Sequence, residues 1–276
     1  MTPTTKLDTN LAWQNAHAAI MGNREAFLAI AGVFFFLPSL AFALLYPQPP
    51  AASTAMSPEQ AMAFMQTFYR ESFPFMLGMA MAQIVGGMGL LRLYAGTGRP
   101  TVGSAIGQGA VDSLIFFAAM IVLWVAGTLG ATVLIGLAAV TGQQAVAGVA
   151  TAIALGLLLY VSLRAILVMP IIAVEHLRQP LAALRRSWAL TRGNSGRIVL
   201  FLVVLFLAYI VIVGVASALL GISLGFVLGA EGGKIAVDIV TSALSALFTL
   251  YAFTSLAAIH RQLAGPAVDD LRATFD

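Results

Sequence analysis

Six apolar runs, at residues 26–46, 73–95, 111–140, 145–174, 198–230 and 235–259, leave this chain few ways to fold. The hydrocarbon core of a bilayer takes about 20 apolar residues as a helix. Backbone groups in lipid have no water to bond, so a run of that length satisfies them internally as a helix. Several runs exceed 25 residues, which requires tilt or an interfacial continuation. The expected fold class is therefore all-α, a polytopic membrane bundle of six transmembrane helices forming a single integral membrane domain over residues 1–276. Residues 1–24 form an amphipathic segment and residues 260–276 a tail. The composition, 60% hydrophobic and 9% charged, is far from the quarter or so of charged residues on a soluble domain. There is no Cys, which removes disulfides, thiol nucleophiles and Cys-based metal sites.

Charge sets the orientation. Lys6, Arg24, Arg92, Arg99, Arg164, Arg178, Arg185, Arg186, Arg192, Arg197, Arg261 and Arg272 fall on one side of the expected spans, and only Arg70 and Lys234 on the other. The positive-inside rule places the richer side, and both termini, in the cytoplasm. Ala- and Gly-rich spans without Cys fit a bacterial inner membrane. The net charge of +3 is concentrated beside the spans, so anionic lipid headgroups, and not nucleic acid, are the expected partner.

On the outer side, residues 47–54 form a proline-rich connector. Ser57-Pro58-Glu59-Gln60 then reads as a capping box. It opens a short helix with Ala61, Phe64, Met65 and Phe68 on one face, either lying on the outer leaflet or covering a substrate pathway. On the inner side, amphipathic segments at residues 7–21, 101–110 and 177–192 each precede a span and its return. They suggest three helix-plus-hairpin units in one orientation. In the third, Leu177, Leu181, Leu184, Trp188 and Thr191 make one helical face, with Arg178, Arg185 and Arg192 in a stripe beside it. With Arg186 and Arg197 close by, this basic helix is either an anionic-lipid site, each Arg contributing about 1 kcal/mol, or an orientation signal alone.

Residues 170–194 carry a resemblance. Pro170 and Glu175 end one span, and Ala183-Leu184-Arg185-Arg186-Ser187-Trp188-Ala189-Leu190-Thr191-Arg192-Gly193-Asn194 leads into the next. The pattern resembles the membrane domain attached to some bacterial glycerophosphoryl diester phosphodiesterases, and related stand-alone YciC-like inner-membrane proteins. Elsewhere the likeness is one of span layout. It implies a membrane fold more than an activity, since stand-alone members have none assigned. In the fused enzymes the chemistry resides in a separate soluble barrel. Such a barrel takes about 250 residues, for which no room is expected here, so no catalytic residue is carried over.

Other candidate chemistry is sparse. His17, His176 and His260 approach the cytoplasmic boundary in different segments without HxxxH or HExxH spacing, so no metal site is expected. Ser104, in Gly103-Ser104-Ala105-Ile106-Gly107, lacks the register of a nucleophile elbow. Asp112 is placed to pair with Arg92 or Arg164, as structural glue or as part of a polar pathway. Glu175 is placed to tether the basic helix through Arg178 or Arg185. Gly78, Ala82 and Gly86, beside the mid-span Gln83, and Gly221, Gly225 and Gly229 form rows at four-residue spacing. Such rows bring helices together within a bundle or across a homodimer. Pro38 and Pro170 are expected to kink their spans.

The expected function is non-enzymatic lipid binding or membrane organisation through the basic helix, with no cofactor. The alternative is a transporter or conduit for a lipid-like or apolar solute, with a cavity near Pro38, Gln83 and Asp112. A third, an intramembrane enzyme, requires Asp112, Glu175 and His176 to converge.

Overall fold

The computed structural model describes residues 6–46, 57–96 and 101–265. The proline-rich connector, Arg99, Arg272 and most of the expected tail lie outside the described residues. Among those described, all regular structure is helical. Helix α1 is Thr9–Gly22; α2, Arg24–Ala31, passes through a π turn at Gly32–Phe36 into α3, Leu37–Leu45. Then come α4 (Pro58–Ala95), α5 (Val102–Ala139), α6 (Gln144–Arg164), α7 (Val168–Glu175), α8 (Pro180–Thr191) and α9 (Ser195–Ala264).

Five stretches are long and apolar enough to cross a membrane: Arg24–Leu45, Pro58–Ala95, Val102–Ala139, Gln144–Glu175 and Ser195–Ala264. This differs from the six apolar runs because the last two belong to one 70-residue helical element, α9, interrupted at Gly229 with φ 75° and ψ 174°. Its two arms fold back on each other. The Tyr209 ring stacks on Phe248 with centroids 4.5 Å apart. A Cβ added at Gly233 would lie 2.8 Å from Gly225 Cα, and one at Gly221 would lie 3.9 Å from a Val237 methyl. Residues equidistant from Gly229 thus face each other, as in an antiparallel hairpin. The backbone there is in a region open almost only to glycine. Gly229→Ala is expected to cost about 1–3 kcal/mol, read as a lower thermal unfolding temperature in detergent. Gly225→Ala, whose own Cβ would meet nothing within 4 Å, should stay within about 0.5 kcal/mol.

Two expected breaks are absent. The Ser57 capping box forms, Ser57 Oγ accepting from Gln60 N–H at 3.2 Å and Gln60 Oε1 from Ser57 N–H at 3.1 Å. The helix it opens, however, continues unbroken for 38 residues as α4, so it is no separate surface helix. Likewise Thr101 caps α5, and α5 absorbs residues 101–110. Of the three expected helix-plus-hairpin units, the first and third keep a break before their span and the second does not.

Pro38 would crowd the Phe34 carbonyl and donates nothing to it. The chain accommodates it with the π turn just ahead, where Leu37 N–H reaches back to Gly32 O. Phe35 is thereby buried and stacks on Phe253, centroids 5.8 Å apart. Between α6 and α7 the helix opens at residues 165–167, and Pro170 falls in the first turn of α7, where an N–H has no intrahelical acceptor to lose.

The short α7 is the hub. Val168, Met169, Ile171, Ile172 and Ala173 are all buried, against Leu91, Ile198 and Ala258. A second cluster joins Phe27, Ile30, Phe35, Leu90 and Leu250. Elsewhere the helices turn large apolar side chains outward, among them Trp124, Leu137, Leu200 and Phe226, the last 88% exposed. Apolar surface on this scale is lipid-facing.

Candidate functional site

The first described segment meets both ends of α9, and Asn194 just ahead of it. Asp8 caps α1, accepting from the N–H groups of Asn10 and Leu11, each at 3.0 Å. Leu7 N–H donates to Asn194 Oδ1 at 2.9 Å, and Arg197 Nη1 donates to Leu7 O at 3.1 Å. Asp8 N–H donates to Gln262 Oε1 at 3.1 Å. Trp13 stacks on Tyr251 at 5.0 Å, and His17 Nδ1 lies 2.9 Å from the Tyr251 hydroxyl. These contacts clamp α1 onto α9.

Helix α8 is docked too, and of the expected face Thr191 is buried while Leu177 and Leu184 pack partly buried against the core. Leu177 precedes α8, whose buried stripe is Ala183, Ser187 and Thr191. Small residues allow close approach, and Ser187 Oγ donates to Arg164 O at 2.7 Å. Leu181 and Trp188 remain exposed. Arg178, Arg185, Arg186, Arg192 and Arg197 are exposed as well. Arg186 Nε donates to both Glu175 oxygens, at 3.1 and 3.2 Å, so Glu175 tethers α8 through Arg186 and not through Arg178 or Arg185. Arg178, Arg185 and Arg192 make no ion pair among the described residues.

Polar contacts, the first of them buried, join α4, α5 and the end of α7. Arg92, in the last turn of α4, donates Nε to Asp112 Oδ2 at 2.6 Å and Nη2 to Oδ1 at 2.9 Å. The side chains are 11% and 4% exposed, and the fork is the strong, planar form of this contact. Arg92 Nη1 also contacts His176 Nδ1. Because guanidinium only donates, Nδ1 is the acceptor and the proton sits on Nε2. His176 ends α7 in the left-handed region, φ 54° and ψ 30°. That reversal sends His176 toward Arg92 while Glu175 turns to Arg186 and to His260, whose Nε2 lies 2.9 Å from Glu175 Oε1.

Partial burial, and then the Arg92 and Arg178 charges against the opposing pull of Asp112, hold the His176 pKa below its ordinary value. The folded protein therefore binds fewer protons at this group than the unfolded chain does in mildly acid solution. Its stability contribution is complete above the ordinary histidine pKa and is lost as pH falls below it toward the folded value. The unfolding temperature should drop between about pH 7.5 and about pH 5.5, and drop less in His176→Gln. Equal slopes in the two proteins would remove His176 from this account.

Asp112 and His176 thus converge on Arg92, whereas Glu175 is directed elsewhere. No group of three His, Asp or Glu side chains among the described residues is arranged to hold a metal. Arg164 does not pair with Asp112. It is 6% exposed and donates Nη1 to Thr191 Oγ1 at 3.2 Å, with its guanidinium 4.8 Å from the Trp188 ring centre and 5.7 Å from that of Tyr160. Four surface cavities of about 150–260 Å³ are lined by other residues than Pro38, Gln83 or Asp112. In the first glycine row, Gly86 meets Phe34 and Gly78 meets nothing within 4 Å; Ala82 and Gln83 are half-buried.

The sequence reading missed Asn194, Gln262 and Tyr251 as anchors of α1. Asn194 was legible only as the end of the run leading into a span, and Gln262 and Tyr251 carry no local signal because their partners, Asp8 and His17, lie more than 230 residues away in the chain. A family model described as the membrane domain of glycerophosphoryl diester phosphodiesterase matches residues 114–264, more than half of the chain. The match takes in Arg164, Glu175 and α8, and leaves out α1, Arg92 and Asp112. No curated protein and no solved structure matches.

Proposed function

We propose, on the premise that the chain belongs to the family of glycerophosphoryl diester phosphodiesterase membrane domains, that it is a non-enzymatic, anionic-lipid-binding protein of the bacterial inner membrane. The two arms of α9 each cross, making six crossings, and the positive-inside rule places the basic end with both termini in the cytoplasm. The observation that carries the reading is the trio Arg178, Arg185 and Arg192. These three exposed cations lack ion-pair partners among the described residues. They flank an exposed Trp188 on a helix docked at the bundle end. Such a surface presents charge at headgroup depth with a ring suited to the interface. The family match is to a membrane domain and not to a catalytic one, which supports a role without chemistry of its own.

The test is native mass spectrometry of the protein extracted with its lipids, beside Arg178→Gln/Arg192→Gln. At about 1 kcal/mol per arginine, enrichment of anionic over zwitterionic lipid should fall roughly thirtyfold. Unchanged enrichment would overturn the proposal.

A further inference from the structure

Arg92 forms one wall of a cavity that neither the packing of the bundle nor the exposed arginine trio explains. The cavity, of about 150 Å³, lies where the end of α4, the first turns of α5 and the end of α7 meet, and Arg92, Gly96, Ser104, Gln108 and His176 are among its lining residues. Of the four cavities it is the one whose wall is more polar than apolar. Ser104 and Gln108 precede the apolar run at residues 111–140, and His176 follows the span that ends at Glu175. All three are exposed, so the cavity opens to water at the basic end of the bundle.

Its free hydrogen-bonding groups are mostly donors. Guanidinium carries five N–H groups. Two of those on Arg92 go to Asp112 and one to His176, which leaves one N–H on each Nη without an acceptor among the described residues. The proton on His176 Nε2 has no acceptor there either, because the ring's one hydrogen bond is made at Nδ1. Ser104, Gln108 and Asp112 recur every four residues along α5 and so share one helix face. Ser104 Oγ is engaged with Thr101 and Asp112 with Arg92, whereas the Gln108 amide makes no hydrogen bond among the described residues. Charge points the same way. Asp112 matches Arg92, but Arg178, whose charge acts on His176, has no ion pair among the described residues. Donors converging from α4, α5 and α7 with a positive balance suit a compact anion rich in acceptors. A carboxylate offers its oxygens in one plane, whereas a phosphate offers them in three directions.

We propose that this cavity binds a terminal phosphate, either inorganic phosphate or the head of a phosphomonoester, with Arg92 Nη1 and Nη2, His176 Nε2 and the Gln108 amide as its donors. The site is separate from the lipid-gathering surface on α8: Arg178 adds charge beside it but no donor, and Arg185 and Arg192 take no part. The Arg92–Asp112 fork then has a second role. It fixes the guanidinium plane so that the two remaining N–H groups are held in place for the ligand.

The experiment uses the full chain in neutral detergent. The rise in unfolding temperature is titrated with sodium phosphate against sodium chloride at constant ionic strength, and separately with phosphatidic acid. Phosphate also stabilises proteins by exclusion from their surface, so dependence on Gln108 is the deciding observation. Gln108→Glu sets a carboxylate against the phosphate and should weaken binding by about tenfold or more. Gln108→Lys should tighten it by up to about fivefold, which no loss of structure would produce. Gln143→Glu makes the same charge change beyond the other end of α5, at an exposed position, and should leave binding as in wild type. A saturable response to inorganic phosphate that follows Gln108 in this way upholds the site with a soluble ligand. A response to phosphatidic acid alone, lost in Gln108→Glu, upholds it with a lipid headgroup as the source. No response to either, one that is the same in both Gln108 variants, or one equally weakened by Gln143→Glu would overturn the proposal. Gln108→Glu should keep the anionic-lipid enrichment expected from the exposed trio, so the two readings fail separately.

Discussion

Arg92→Met is expected to destabilise the protein by about 3–5 kcal/mol, the usual cost of removing one partner from a buried ion pair. The size follows from what remains. Asp112, with a side chain 4% exposed, keeps a carboxylate that held two hydrogen bonds from one guanidinium. No other ion-pair partner reaches it among the described residues. The substitution also removes the donor to His176 Nδ1, and with it the contact joining the end of α7 to α4. Asp112→Asn should cost less, because an amide still accepts from Arg92. Arg92→Met/Asp112→Leu should recover most of the loss, since an apolar pair of similar volume often matches a buried ion pair. Thermal unfolding in one detergent, read as a double-mutant cycle, gives the coupling directly. Single variants within about 1 kcal/mol of wild type would place the pair in water.

Sequence made some of this arrangement legible and hid the rest for physical reasons. The spans are visible because lipid demands long apolar helices, and the Ser57 capping box because its partners are three residues apart. Asp112 stood out as a carboxylate among cations, and Arg92 was one of two partners named for it. The choice between Arg92 and Arg164 depends on how α4, α5 and α6 pack, which span periodicity does not encode. For the same reason Ala183 and Ser187, which are buried together with Thr191, were overlooked beside the larger Leu and Trp side chains. Large apolar residues mark the protein-facing side of a helix in water, whereas in a bilayer they also suit the lipid side. The hairpin at Gly229 was hidden differently. A single residue in a glycine-only conformation reverses the chain, where a loop at residues 231–234 was expected.

The same packing logic gives the second large effect, at Gly109. A Cβ there would lie 2.8 Å from Gly89 N and 3.2 Å from Gly89 Cα. These are backbone atoms, and no rotamer change relieves the overlap, so Gly109→Ala forces α4 and α5 apart. The expected loss is about 1–3 kcal/mol, with the upper end favoured because Arg92 and Asp112 bridge the same two helices. Gly86→Ala should behave similarly, its Cβ meeting the Phe34 side chain. Gly78→Ala provides the contrast, with nothing within 4 Å although it lies in the same four-residue row as Gly86. Within one bundle it should leave the unfolding temperature unchanged. A homodimer through that face would make Gly78→Ala destabilising and lower the dimer fraction in cross-linking, with Gly109→Ala affecting stability but not pairing. Comparing these variants by unfolding temperature and cross-linking therefore decides whether the row closes one bundle or joins two.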